Sequence, residues 1–213
     1  MAASGAGSGA DSGSSGADGG LDHDGAAAND AGGPAAEASA TGGMLPTIGG
    51  FDPNTACNGA TGNILAIGGY DLATPLVKQS GDGSAWLSAA IGGPPPTAAT
   101  VGATTGGSVD FEFAFSDPGA AKTGLVPGTY NATGIGTNPS LAIVWEVPEK
   151  CVAGAAPAQI TIAEIQTHTA AGGPVLDSIA ASWVQTCKFS GGPMMGAGCV
   201  RFSAAAARGD AGK

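Results

Sequence analysis

The chain has 213 residues, of which only 11% are charged, and a formal net charge of −10. Seven basic residues without a cluster exclude a phosphate-binding surface for nucleic acid and a polybasic patch for an anionic membrane. No run reaches the roughly 18 apolar residues of a membrane-spanning helix.

Residues 1–43 contain six acids, no Lys or Arg, and otherwise mostly Gly, Ala and Ser. Such a composition cannot bury enough apolar surface to offset the entropy of ordering, so these residues are expected to form a disordered acidic linker. Within it, Asp22-His23-Asp24-Gly25 lacks the third oxygen ligand and the closing Glu of a calcium loop, and reads as solvated linker. Ten acids face five bases in the expected folded part (44–207), which is only mildly acidic. Its length suits one sizeable core.

In chain order, residues 63–70 (NILAIGGY) and 85–91 (AWLSAAI) are strand candidates. Pro94-Pro95-Pro96 then stops any element and is expected on the surface as extended polyproline. Residues 108–116 (SVDFEFAFS) alternate strictly. Val109, Phe111, Phe113 and Phe115 are placed on a buried face, with Asp110, Glu112 and Ala114 opposite. After Asp117-Pro118-Gly119, a strand begins in 126–130, followed by 141–147 (LAIVWEV), where Val144 hints at cover on both faces. Residues 159–165 and 176–187 form a pair joined by a Gly-Gly-Pro loop, and 199–203 is the last strand before a frayed tail (208–213). No segment shows a helical period. Many short strands at this spacing predict an all-β, antiparallel two-sheet sandwich, Ig-like or jelly-roll-like.

Cys57, Cys151, Cys187 and Cys199 are widely spaced, with no CxxC and only His23 and His168 to assist, which argues against zinc and for two disulfides over free buried thiols. Three connectivities are open. The favoured one is Cys187–Cys199 across a loop that folds back on itself, with Cys57–Cys151 closing a long loop. Disulfides imply an oxidising compartment, hence extracytoplasmic localisation in the envelope or secreted. Met1 is followed by no basic start or apolar segment, so an export signal is expected upstream of it or removed, a reading favoured over reduced cysteines in the cytosol.

No GxSxG, SxxK or HExxH occurs, and no catalytic set, metal site or cofactor is predicted. Glu164 and His168 share strand parity but stand about 13 Å apart, with Glu164 expected at a strand end and His168 in the following loop. Asp110 and Glu112 read as a solvated sheet face. Trp145 and Trp183 share faces with aliphatic residues and are assigned to the core, which leaves Trp86 as the speculative ligand-binding residue. Asn131-Ala132-Thr133 marks a surface loop, Met194-Met195 falls in the cysteine loop, and Arg208-Gly209-Asp210 is a chance tripeptide.

The leader resembles the Gly/Ser/Asp-rich tethers that follow the lipidated cysteine of bacterial envelope lipoproteins. With VPGTY, QITIAEI, IAASWVQTC and GCVRFS, the remainder is similar to cysteine-stapled β domains of uncharacterised secreted proteins from GC-rich bacteria. The chain has no lipobox and no N-terminal Cys, so the resemblance implies a lipid anchor upstream of it. It implies a non-enzymatic envelope module, structural or interacting, whose partner is an unknown envelope protein or a glycan. The alternative is a carbohydrate-binding module built on Trp86.

Overall fold

A computed structural model describes residues 44–210 except 59, 106–107, 133–138, 146–149, 152–156 and 190–191. The predicted leader and the residues after 210 lie outside the described residues. Among the described residues eleven strands form two antiparallel sheets, as the alternating short runs predict. Sheet I contains β1 (Ile64–Gly69), β2 (Leu76–Gln79), β6 (Gly128–Ala132), β9 (Ala158–Ala170), β10 (Gly173–Phe189) and β11 (Gly192–Ser203) in the order β2-β1-β11-β10-β9-β6. Sheet II contains β3 (Ala85–Ile91), β4 (Ala98–Thr105), β5 (Ser108–Ser116), β7 (Ser140–Trp145) and β8 (Lys150–Cys151) in the order β3-β4-β5-β7-β8.

The two inner faces meet in one apolar core. Sheet I contributes Leu65, Ile67, Tyr130, Ile160, Ile162, Ile179, Trp183, Val200 and Phe202; sheet II contributes Val101, Phe111, Phe113, Phe115, Leu141 and Ile143. Trp183, fully buried as its face predicts, packs on Phe113 across the gap with ring centroids 5.1 Å apart, and Phe115 meets Tyr130 at the same separation. Aromatic contacts in this range add to the area each ring buries. Gly198, paired with Trp183 on the neighbouring strand, makes room for the indole: a Cβ there would collide with the ring. Tyr130 locks the entry to β6 by donating its hydroxyl to the Val126 carbonyl at 2.6 Å. Burial raises its phenol pKa, the Val126 hydrogen bond opposes that rise, and the Asp117 charge adds to it.

Several expectations change on this frame. The alternation of β5 breaks at a bulge: Ala103 opposes Phe111 and Thr104 opposes Val109, which leaves Asp110 as the extra residue. Val109 therefore leaves the core face and is exposed near Leu87 on the outer surface. The triple proline is a turn between β3 and β4 rather than a surface polyproline, because Pro96 is buried and its carbonyl accepts from Leu125 N at 3.0 Å. β2 and β4 had no clear sequence signal.

The start of the expected tail is helical, and residues 211–213 lie outside the described residues. Residues Ala204–Asp210 form a short helix, α1, whose Ala204 and Ala207 pack against the main core. Four consecutive alanines have the highest intrinsic helix propensity.

Both favoured disulfides are corrected. Cys57 bonds Cys199, so neither Cys187–Cys199 nor Cys57–Cys151 exists. The segment between Cys187 and Cys199 is a regular hairpin, β10–β11, in which Cys187 opposes Met194 and Cys199 opposes Ser182. Cys187 sits in the inter-sheet core and Cys199 in the outer cluster, so a sheet separates them. Cys187 is itself disulfide-bonded, and no described cysteine is free.

A Gly198→Ala variant is expected to lose about 1–3 kcal/mol of stability, the usual cost of overpacking a filled core. A fall in the denaturant midpoint at unchanged slope checks it.

Candidate functional site

The outer face of sheet I carries two of the sequence-selected polar residues, Glu164 and His168. An arm of residues 45–62 crosses its β1–β11 side. Phe51, Cys57, Ile64, Ala66, Ala197 and Cys199 form a second apolar cluster beneath it. Phe51 lies over Gly68, where a Cβ would occupy the phenyl ring. The Cys57–Cys199 bond fastens the arm at a sequence separation of 142. Taken alone, a loop of that length gives about 5 kcal/mol in the chain-entropy account.

Asp52 orders the arm. Its Oδ1 accepts from Asn54 N at 2.9 Å and Asn54 Nδ2 at 2.8 Å, and its Oδ2 accepts from Thr55 Oγ1 at 2.8 Å. Asn54 in turn accepts from Leu45 N at 3.0 Å and donates to Leu45 O at 2.7 Å. The Asn54 backbone bond, then the Asn54 and Thr55 side chains, hold the Asp52 carboxyl below its ordinary pKa.

Beside the arm lies a cleft of about 440 Å³. Ala60 and Gly62 close one end; Glu164, Gln166, Asp177 and Ser178 line the β9–β10 side; Arg201 and Ser203 line the β11 side, with the start of α1 beyond. Glu164 and His168 both lie within β9, which runs to Ala170, rather than at a strand end and in a loop. Bulges at Ala163 and Asp177 reset the register of the β9–β10 hairpin. The second brings the Asp177 carboxylate to His168, whose Nδ1 lies 2.8 and 2.9 Å from its two oxygens. Glu164 Oε1 accepts from Ser178 Oγ at 2.8 Å and from Gln166 Nε2 at 3.3 Å.

These contacts run as two separate pairs, His168–Asp177 and Ser178–Glu164. A nucleophile relay requires the imidazole on the serine and the acid behind it, an order this arrangement does not have. What it provides is a fixed carboxylate on one side of the cleft and a guanidinium on the other. Among the described residues, no group of three His, Cys, Asp or Glu side chains has metal-binding geometry.

The other sequence candidates lie elsewhere. Asp110 faces Lys78 Nζ at 3.7 Å, and the same ammonium donates to Thr105 Oγ1 at 3.4 Å, tying sheet I to the β4–β5 hairpin. Glu112 stands on the outer face of sheet II opposite Val144 and Gly102. Trp86 is half-buried against the main core with its indole nitrogen fully buried, while Leu87 and Ile91 take the exposed face of β3. A sugar platform needs an open ring face at the surface. Met194 and Met195 belong to β11, with Met195 exposed. The side chains of Trp145, Cys151, Arg208 and Asp210 and all of Thr133 lie outside the described residues.

Gln166, Asp177, Ser178 and Arg201 carried no sequence signal, since a strand pair predicted from alternation does not reveal bulges that choose which polar side chains meet. No protein-family model, curated protein or solved structure matches the chain.

Because the Asp52 pKa is lowered by folding, its contribution is present above about pH 4 and fades as pH falls through the lowered value. Arm amides of residues 45–58 should exchange faster at pH 3 than at pH 5, after correction for intrinsic rates, before the sheets open. Asp52→Asn should remove that difference, as read by hydrogen-exchange mass spectrometry.

Proposed function

We propose that the protein is an exported, envelope-associated β-sandwich with a non-enzymatic structural or interaction role, displayed by its acidic leader. The observation that carries this reading is the state of the cysteines: Cys57–Cys199 pins the arm, Cys187 is also bonded, and none described is free. Disulfides that organise a whole domain persist in oxidising compartments. No helix of the described residues is long and apolar enough to cross a membrane, which fits attachment through a tether and a lipid upstream of this chain. The partner is an envelope protein or glycan, and no cofactor is invoked.

Alkylation of unreduced, denatured protein from its native host, followed by intact-mass measurement, tests the reading. The expected result is no alkylated cysteine, with the protein in the envelope or secreted fraction. Four alkylated cysteines would place it in a reducing compartment and overturn the proposal. Glycan binding that Trp86→Ala abolishes, with the fold retained, would replace it with a carbohydrate-binding module.

A further inference from the structure

Glu164, Ala180 and Arg201 stand abreast on three neighbouring strands: Ala180 pairs with Glu164 on one side and with Arg201 on the other. Two inter-strand steps separate the charged residues by about 10 Å at the backbone. Between them the floor is small, Ala180 with Ser178, so the cleft stays open where larger side chains would fill it. Arg201 is exposed, and its guanidinium has no ion-pair or hydrogen-bond partner among the described residues. Glu164 is fixed through Oε1 by Ser178 and Gln166, while Oε2 receives no hydrogen bond among the described residues. Asp177 is engaged by His168, so Glu164 is the carboxylate left to act.

From this geometry we propose that the cleft binds a small zwitterion of amino-acid type, a free amino acid or a short peptide. The ligand carboxylate lies on the Arg201 fork, and its ammonium on Glu164 Oε2. A guanidinium pairs a carboxylate through two parallel hydrogen bonds, and charge-assisted bonds of this kind are the strong ones. The Ser178 and Gln166 donors hold the carboxylate in place before a ligand arrives, which lowers the ordering cost of binding. Opposite charges on facing walls also discriminate: a neutral sugar or a simple anion satisfies at most one of them. The cleft volume falls in the range of small-molecule sites. The proposal rests on the cleft alone and not on where the protein resides.

Titration of the full chain, disulfides intact, with alanine, alanyl-alanine, N-acetyl-alanyl-alanine and alanyl-alanine amide, followed by amide NMR, tests it. Saturable shifts are expected at residues 60–62, 164–166, 177–180 and 201–206 with the zwitterions. Blocking either terminus, or substituting Arg201→Gln or Glu164→Gln, should weaken binding by roughly tenfold or more. Unchanged spectra away from the cleft establish that the variants fold. Tighter binding of alanine identifies a free amino acid as the ligand, and tighter binding of alanyl-alanine a peptide. No saturable shift with either zwitterion, or equal binding of the blocked peptides, would overturn the proposal and leave the exported reading untouched.

Discussion

The contact on which the sandwich depends is the Trp183 indole laid across Gly198 and against Phe113. Two sheets can approach only as closely as their inner side chains allow, and the largest of those is Trp183. By lacking a side chain, Gly198 leaves the space on its own strand that the indole occupies. The Phe111, Phe113 and Phe115 row then fits over it. The filled interior at this point depends on one glycine–tryptophan pair on adjacent strands.

A second layer lies on the outside. The arm covers the apolar half of sheet I's outer face and leaves the polar half open, so the cleft exists because the cover is partial. Its end wall, Ala60 and Gly62, follows directly after the segment fastened by Cys57. Asn63, fully buried, ties the region down: its backbone N–H donates to Ser80 Oγ at 2.8 Å, and its Oδ1 accepts from Ser203 N at 2.7 Å. Site geometry and domain stability thus share the same fasteners.

The fold class was legible because strand alternation survives in the segments that matter most: β1, β3, β5, β7 and the β9–β10 pair all coincide with apolar runs. Where alternation is silent, the reading stopped. β4 is largely Ala, Thr and Gly, and β2 has only four residues. Val109 was misplaced because a bulge inverts facing without changing composition. The cysteine pairing failed for a related reason. Sequence proximity favoured Cys187 with Cys199, but strand parity in an unforeseen hairpin sets them on opposite faces. Glu164 and His168 stood out in the sequence; their partners Ser178 and Asp177 depended on register, which residue type alone does not encode.

The Cys57–Cys199 bond also fixes how the molecule bears tension. A pull between the segment before Cys57 and the end of the chain enters the arm, crosses the sulfur–sulfur bond and leaves through the last residues of β11 and α1. Everything between the two cysteines in sequence, including the Trp183 core and most strands of both sheets, lies on a closed loop outside that line of force. The domain can be held at its ends under load while its interior remains slack, and the covalent bond sets the mechanical limit in place of the strand hydrogen bonds.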